Sequence, residues 1–442
     1  MTPFVPIRPL GADRASLRRI LFLGVVVALL VGSIFRPRCF RVRVVGSSME
    51  PTLPGPRVEM RCPVCGQVTS LTAEMETLRH LDDFRCCGCR CCGYTLVPIQ
   101  PNTVPGSSLK ITSKWRHFPK RGEVVLVTPP TDEDTPPAIK RVIGLPGERV
   151  EIVRGDILID GQPVRDAPWD RELTALDSMT PHCQGRALLF THTAAVPFGD
   201  DQADLPRPDP IPTPLTNEIP RLETAQPVAV EYLRDFVLDV TLSSAKGEEP
   251  IRIAVDQGDL RWLVTFDRKR GELSVAQAPG ESDNTIDQWQ AEDFSLSPAA
   301  SVSLGNLFTG GGTSRLQIRF LHQNAEILLD GQSRLIVPAG VPLDDWKKGK
   351  NLPISTPAAV LLPEGLPIDQ EDPEALLAAC GIEELTLRRG GCFSEPNTGR
   401  VYEVPRGCYF LLGDNSATSI DGRLWPTFVP RGAIRGAVTS CL

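Results

Sequence analysis

VGSSMEPTL at residues 45–53 and IKRVIGLPGE at residues 139–148 are the two most informative stretches of this 442-residue chain. Ser48 lies in the first stretch and Lys140 lies in the second. A serine hydroxyl needs a base to become a nucleophile, and a lysine can be that base when burial keeps its amine neutral. These residue types make Ser48 a candidate nucleophile and Lys140 a candidate general base of a Ser/Lys dyad.

Two further stretches near the C-terminus complete the pattern, GDN at residues 413–415 and SIDGR at residues 419–423. Together the four stretches resemble type I signal peptidase, the bacterial leader peptidase. The resemblance implies a mainly β catalytic core in a membrane-anchored serine endopeptidase. Such an enzyme removes signal peptides from exported preproteins after a small-x-small motif and needs no cofactor for catalysis.

The resemblance also assigns roles around the nucleophile. In the family the serine directly before methionine attacks, which selects Ser48 because Met49 follows it. Some members carry a second serine at the position of Gly46, and its hydroxyl joins the oxyanion hole. With glycine there, we expect a hole built largely from backbone N–H groups, beginning with that of Ser48. Met49, with Pro51 and Leu53, is expected to supply apolar surface close to the membrane.

A third group of residues is expected to support the lysine. Ser419 falls where the family has a serine that hydrogen-bonds the lysine and orients it. Asp421 and Arg423 match residues that buttress this corner, and we expect a buried pair. Two positions depart from the family pattern, since Ser416 stands where arginine is common and Gly422 stands where serine is common.

Lysine can act as a base here only in an unusual environment. On the surface its pKa is about 10.4, so the amine would be almost fully protonated. The residues around Lys140 supply apolar material for a pocket: Ala138, Ile139, Val142, Ile143 and Leu145. The chain has five histidines, and none lies in a pattern typical of a Ser-His-Asp triad or a metalloprotease.

An uncharged run of sixteen residues, ILFLGVVVALLVGSIF, occupies positions 20–35. It is slightly shorter than the roughly 17–25 residues of a membrane span, but flanking arginines can extend it by snorkelling. A cleavable signal peptide and a buried core helix are the alternatives. We predict that residues 1–38 form an N-terminal tail and a retained membrane anchor. Arginines flank both ends, so charge does not set the orientation.

The resemblance places the protein in the cytoplasmic (inner) membrane, as a single-pass protein with its catalytic domain on the extracytoplasmic side. Its implied partners are the lipid bilayer and preproteins that carry signal peptides. The net charge of −7, with both signs spread along the chain, gives no reason to expect a nucleic-acid partner.

Residues 59–98 form a cysteine-dense insert, with seven of the thirteen cysteines between positions 62 and 92. Cys62 and Cys65 lie in one knuckle, and Cys89 and Cys92 lie in another, which is the spacing of a zinc ribbon. Four thiolates would hold a structural zinc ion with no open position. Cys86 forms a competing C-x-x-C with Cys89, and a disulfide cluster is the rival interpretation in an oxidising compartment.

Residues 168–395 have a different texture, with a proline-rich stretch followed by short alternating strands. In residues 235–242, DFVLDVTL, the even-numbered apolar side chains share one face. Strands at regular spacing predict a β-sandwich. The order of these strands, with 324–331 and a closing strand at 384–389, resembles a concanavalin-A-like jelly roll. The catalytic core is then assigned to residues 39–167 and 396–442.

Two other functions share parts of this pattern. A Ser/Lys autoprotease of the repressor type has the same dyad, but it usually carries a DNA-binding domain and no membrane anchor. A non-catalytic, membrane-tethered binding protein could use the β-sandwich and the ribbon as interaction modules. It gives no reason for Ser48, Lys140 and Ser419 all to lie in the family pattern.

Overall fold

The structure is a computed structural model. Strands dominate it, in agreement with the mainly β fold expected from the sequence. The structure describes residues 22, 38–62, 68–72, 87–88, 95–96, 102–113, 118–131, 135–164, 169, 174–175, 179–184, 186–192, 233, 235–243, 249–258, 260–279, 300–303, 312–321, 324–338, 343–348, 357–363, 366, 372–389, 391–397 and 399–441.

The first part of the chain contains short strands separated by turns. They are β1 (Arg38–Arg43), β2 (Arg57–Arg61), β3 (Val68–Thr72), β4 (Cys87–Gly88), β5 (Thr95–Leu96), β6 (Asn102–Val104), β7 (Ser108–Ser113), β8 (Val124–Val127), β9 (Ala138–Gly144), β10 (Arg149–Val153), β11 (Asp156–Ile159) and β12 (Gln162–Pro163). The runs RVEIV at residues 149–153 and DILIDG at residues 156–161 predict a hairpin. This prediction is confirmed, because β10 pairs antiparallel with β11.

The middle part adds longer strands and two short helices. They are β13 (Thr174–Ala175), β14 (Met179–Gln184), β15 (Ala187–His192), β16 (Phe236–Ser243), β17 (Ile251–Asp256), β18 (Leu260–Asp267), β19 (Glu272–Pro279), β20 (Ala300–Ser303), β21 (Thr313–Leu321), β22 (Asn324–Leu329), β23 (Gln332–Pro338), α1 (Leu343–Lys348), β24 (Ala358–Leu361), α2 (Pro373–Ala379) and β25 (Ile382–Arg389).

The last part returns to the sheets of the first part. Its strands are β26 (Val401–Glu403), β27 (Cys408–Leu412), β28 (Val429–Pro430) and β29 (Ile434–Cys441), with a 3₁₀ turn at Arg431–Ala433. One sheet has the order β1-β7-β29-β8-β9-β27-β28, and another has the order β12-β11-β10-β26. Strands from the two ends of the sequence therefore alternate within one sheet, which brings the C-terminal motifs beside β9.

Three buried clusters pack against these two sheets, and the third contains residues of both. Residues beneath the first motif, including Met49 and Leu53, pack with Leu109 and Ile111. Val125 and Val142 belong to a second cluster with aromatic residues of the last part. The third cluster contains residues from both ends of the predicted sandwich region, namely Trp169 and Phe393, whose rings meet edge to face at 5.8 Å.

The middle part forms two larger antiparallel sheets. Their orders are β13-β25-β16-β21-β22-β23 and β14-β15-β24-β17-β18-β19-β20. Both sheets contribute to a single buried cluster, which contains Phe236, Leu238, Val240 and Leu242 of β16 together with residues of β17 and β18. The alternation in residues 235–242 therefore placed these four side chains correctly on one face.

Two predicted features fall largely beyond what the structure describes. The predicted membrane span at residues 20–35 lies outside the described residues, apart from residue 22. In the part of the chain that is described, no helix is long and apolar enough to cross a membrane. Of the four proposed zinc ligands only Cys62 is described, and its side chain is buried.

Candidate active site

The turn after β1 carries Ser48 on a well-supported loop. Val44 N–H donates to the Ser107 carbonyl at 2.9 Å, and Leu53 N–H donates to the Met49 carbonyl at 2.8 Å. The carboxylate of Glu50 accepts from the Gly55 N–H at 2.9 Å, which closes the loop on itself. Because both ends of the loop are fixed, the half-exposed Ser48 has a defined position at its tip.

The prediction that Met49 and Leu53 form apolar surface near the membrane is wrong. Met49 is 1% exposed and Leu53 is 5% exposed, because both pack into the cluster beneath the turn. Gly46 itself has open space where a side chain would begin. A serine side chain would therefore fit at position 46. With glycine at this position, residue 46 offers no side-chain hydroxyl to a substrate.

Lys140 lies in the middle of β9 with Val125 as its partner across the ladder. It is 2% exposed, and burial lowers its pKa from 10.5 to about 8. The negative charges of Asp421 and Asp414 raise the pKa and the positive charge of Arg423 lowers it, but these effects are smaller than the effect of burial. The buried setting expected for this lysine is therefore present.

The apolar residues expected around Lys140 do not all belong to one hydrophobic cluster. Val142, Ala138 and Leu145 pack with Val125 in one cluster. The other two, which are Ile139 and Ile143, belong to two further clusters.

Ser419 holds the lysine directly, since Lys140 Nζ donates to Ser419 Oγ at 2.8 Å. Gly413 lies against this pair. A β-carbon on Gly413 would collide both with the Ser419 hydroxyl and with the Ser48 carbonyl oxygen. The backbone of Ser48 and the Lys140–Ser419 pair therefore meet at one point. In the described residues no hydrogen bond joins the Ser48 hydroxyl to Lys140, a bond that often tightens only when substrate is bound.

Asp421 and Arg423 form a fully buried pair beside this point. Arg423 Nε and Nη2 donate to the two carboxylate oxygens of Asp421, each at 2.9 Å. Asp421 also accepts from the Gly413 N–H at 3.0 Å. Both groups are excluded from water, so the pair fixes the geometry of the loop that carries Ser419.

Ser416, one of the two departures from the family pattern, has a specific role in this network. Its hydroxyl accepts from Arg423 Nη1 and from the Ser394 N–H, both at 2.8 Å. Arg423 Nη1 also donates to the Ser394 carbonyl at 2.5 Å. Ser394 was not predicted from the sequence, because it lies outside every recognised stretch and is separated from Arg423 by 29 positions.

A second buried ion pair was missed, although both of its members lie in recognised stretches. Arg141 donates through Nε and Nη2 to the carboxylate of Asp414, at 2.8 Å and 2.6 Å. Arg141 Nη1 also donates to the Gly122 carbonyl at 2.9 Å. Because Arg141 follows Lys140 on β9 and Asp414 follows Gly413, this pair joins the strand of the lysine to the C-terminal loop.

Asn415 also contacts the turn at residues 44–55 that carries Ser48, called the nucleophile turn after the predicted role of Ser48. Its backbone N–H donates to the Ser48 carbonyl at 3.1 Å, and its side-chain Nδ2 donates to the Ser47 carbonyl at 3.1 Å. Its own carbonyl accepts from the Thr418 and Ser419 N–H groups at 3.1 Å and 3.0 Å. Asn415 is fully buried.

The predicted zinc site cannot be traced through the described residues. Cys65, Cys89 and Cys92 lie outside them, and the residues that are described contain no cluster of three or more metal-ligating side chains. Within the insert, β4 pairs antiparallel with β5 as a two-stranded sheet.

Comparison with known proteins gives one family match. A family model described as signal peptidase, peptidase S26, matches residues 14–199 and 382–442, which is more than half of the chain. No curated protein matches significantly.

Several solved structures are similar to the chain at low identity. Sheep galectin-11 in complex with glycerol is 12% identical, over 34% of this chain and 90% of that chain, with a TM-score of 0.17. Caenorhabditis elegans galectin LEC-6 is 11% identical, over 38% of this chain and 90% of that chain, with a TM-score of 0.21. The CBM40 of Ruminococcus gnavus IT-sialidase, bound to α2,6 sialyllactose, is 10% identical, over 38% and 82%, with a TM-score of 0.21. At these TM-scores the similarities carry no conclusion.

Proposed function

Because the chain belongs to the signal peptidase family, peptidase S26, we propose that it is a serine endopeptidase with Ser48 as nucleophile and Lys140 as general base. The observation that best supports the proposal is the buried Lys140 amine, held by Ser419 beside the Ser48 backbone. Its pKa of about 8 leaves about a tenth of the amine neutral at pH 7, against less than a thousandth for a surface lysine.

The first half of the reaction forms an acyl-enzyme. Ser48 Oγ attacks the carbonyl carbon of the scissile peptide bond while its proton passes to neutral Lys140 Nζ. The carbonyl oxygen becomes an oxyanion, which the Ser48 N–H stabilises from the turn. The carbon–nitrogen bond then breaks, and protonated Lys140 gives its proton to the departing amine.

The second half releases the peptide. A water molecule attacks the ester carbon and gives a proton to Lys140, after which the bond to Ser48 Oγ breaks. The proton held by Lys140 returns to Ser48, so the enzyme ends in its starting state. Ser419 keeps Lys140 Nζ in one place through both halves, and the Asp421–Arg423 pair holds the loop that carries Ser419.

The substrates of the family are preproteins that carry signal peptides. We propose that this chain cuts after a small-x-small motif on the extracytoplasmic side of the cytoplasmic membrane. The uncharged run at residues 20–35 supports a single membrane anchor, which would hold the active site where signal peptides end. No cofactor takes part in this chemistry.

The two inserted regions have separate proposed roles. Two sheets with one shared core support a β-sandwich of the jelly-roll type between residues 168 and 395. The cysteine spacing supports a structural zinc ion bound by Cys62, Cys65, Cys89 and Cys92. Metal analysis of the purified full chain separates zinc from a disulfide cluster, which would leave the protein metal-free with thiols that react only after reduction.

The proposal is tested by cleavage of a preprotein with detergent-solubilised full-length protein. We expect the wild type to cut after the small-x-small motif and both Ser48→Ala and Lys140→Ala to be inactive. Cleavage that persists in either variant would refute the dyad. A wild type that binds the preprotein without cutting it would favour the non-catalytic binding protein.

A further inference from the structure

Asn415 is placed to control the conformation of the nucleophile turn. Its side chain and its backbone N–H hold two successive carbonyl oxygens, those of Ser47 and Ser48. These carbonyls belong to the two peptide units on either side of the Ser48 α-carbon. Fixing both planes fixes the φ and ψ angles of Ser48. These angles set the direction of the Cα–Cβ bond that carries its hydroxyl.

The same contact sets the direction of the Ser48 N–H. The peptide bond between Ser47 and Ser48 is trans, so its C=O and N–H groups point in opposite directions. Since the Ser47 carbonyl points at the Asn415 amide, the Ser48 N–H must point away from it. This is the group that the proposed mechanism uses to stabilise the oxyanion.

Two details argue for a specific positioning role rather than ordinary packing. The Ser47 carbonyl can only accept, so the amide must present Nδ2 to it, and Oδ1 is left buried with no partner in the described structure. A buried oxygen without a donor is unfavourable, so the hydrogen bond that Nδ2 donates accounts for this orientation of the Asn415 amide. The Asn415 carbonyl also holds the N–H of Ser419, the residue that fixes Lys140.

We infer that Asn415 is a positioning residue that aligns the Ser48 hydroxyl and N–H with the Lys140–Ser419 pair. The inference rests on the proposed function. The Ser47 carbonyl also accepts from the Glu50 N–H at 3.1 Å, so the turn keeps one internal hydrogen bond when the asparagine side chain is removed. We therefore expect loss of alignment rather than loss of the turn.

The test measures peptide cleavage by full-length Asn415→Ala and Asn415→Leu in detergent. Misplaced reacting groups cost up to about 100-fold in rate, so we expect kcat to fall about 10- to 100-fold with KM changed less than about threefold. A peptide aldehyde, whose adduct with Ser48 carries the oxyanion, should lose affinity by the same factor as kcat/KM. The pH midpoint of kcat should stay in place, because the surroundings of Lys140 are unchanged.

Thr418→Val is the matched control. The Thr418 hydroxyl is also buried and without a partner in the described structure, but no hydrogen bond joins Thr418 to the nucleophile turn in the described residues, so we expect wild-type kinetics. Asn415→Leu keeps nearly the shape of the side chain and removes the donor without adding a charge near Lys140, so it gives an answer even if Asn415→Ala does not fold. Thermal unfolding establishes which variants are folded.

The outcomes separate this inference from the proposed function. If Ser48→Ala and Lys140→Ala are inactive while a folded Asn415→Leu has wild-type kcat, the inference is wrong and the dyad stands. A loss confined to KM, or one explained by a shifted pH midpoint, would also overturn the inference. If Ser48→Ala still cleaves, the proposed function itself fails.

Discussion

Burial lowers the pKa of Lys140 far below that of an ordinary lysine. A lysine amine in water is protonated at neutral pH, and exclusion from water disfavours the charged form. Two carboxylates nearby favour the charged form, while Arg423 opposes it. Burial outweighs them, which leaves the pKa at about 8. The residue is therefore close to half neutral at slightly alkaline pH.

The pH dependence of cleavage follows from this value. The mechanism needs neutral Lys140, and a lowered pKa means that the neutral form appears as pH rises through about 8. We expect kcat to increase with pH to a plateau, with a fall of roughly 50-fold from pH 8 to pH 6. Initial rates on a peptide substrate across this range check it. A flat profile, or a midpoint near that of a surface lysine, would contradict the role of Lys140.

Lys140 should also lower the stability of the fold. Its pKa is lower in the folded than in the unfolded protein, so the cost is fully present below about pH 8 and disappears as pH rises towards 10.5. We expect detergent-solubilised Lys140→Met to be more stable than wild type at pH 7, by about 1–3 kcal/mol, with a smaller difference at pH 10. Denaturant unfolding at both values measures it.

The control for this comparison is Lys110→Met, because Lys110 is an exposed lysine on β7. Replacing it removes a charge of the same sign without removing a buried one. Equal stability changes in the two variants at both pH values would show that burial of Lys140 costs nothing.

At the scale of elements, the site depends on close contact between loops that lie far apart in sequence. The loop after β27 touches the nucleophile turn at Gly413, where both the Ser48 carbonyl and the Ser419 hydroxyl occupy the space of a β-carbon. Gly55 has the same function within the turn, because a β-carbon there would lie 2.6 Å from the Gly46 carbonyl oxygen. Glycine at these points lets two backbones pack directly against each other.

Gly413→Ala tests this contact. The added methyl group must push the nucleophile turn away from the Lys140–Ser419 pair, and a shift of about 1 Å costs on the order of 100-fold in rate. We expect a large drop in kcat/KM for peptide cleavage. Gly432→Ala is the control, since that glycine has open space at the β-carbon position and should keep full activity. Similar activities in the two variants would show that the contact is not required.

Local sequence predicted the elements better than their arrangement. The hairpin of β10 and β11 and the buried face of β16 were predicted from alternation and turn residues. The position of β29 between β7 and β8 was not predicted, because strands that pair across more than 300 positions leave no local pattern in the sequence. The same reason explains why the contact between Ser394 and Arg423 was missed, while Ser419 was found through the family pattern.

For the whole molecule, the region predicted as an insert leaves and re-enters the catalytic core at one place. Trp169 packs on Phe393, and a β-carbon on Gly391 would lie 2.9 Å from the Trp169 ring. Other contacts with the core come from α1, where Arg154 donates to the Trp346 carbonyl at 2.7 Å and lies over the Trp346 ring, and Lys347 forms a 3.1 Å ion pair with Glu151. Partly exposed pairs of this kind contribute about 0–1 kcal/mol.

Removal of residues 170–390, replaced by a short Gly/Ser linker, should therefore leave the core intact. The ends are already adjacent, so closing the shorter loop costs little. We expect the shortened protein to fold and to cleave a peptide substrate within about tenfold of the wild-type rate, since the catalytic corner lies outside the deletion. Ser48→Ala in the shortened protein is the control for contaminating activity. Aggregation or loss of cleavage would show that the core needs the insert.

The sequence by itself determined which chemistry was available and which segments were strands. Motif residues and alternating patterns are properties of neighbours in the chain, so they can be recognised without the fold. Only the tertiary structure determined the pKa of the lysine and the contacts between residues that lie far apart in sequence. The pKa of Lys140 depends on exclusion from water, and its bond to Ser419 joins positions 279 apart. Asn415 is hydrogen-bonded to the nucleophile turn across 368 positions, so this contact also appears only in the folded protein.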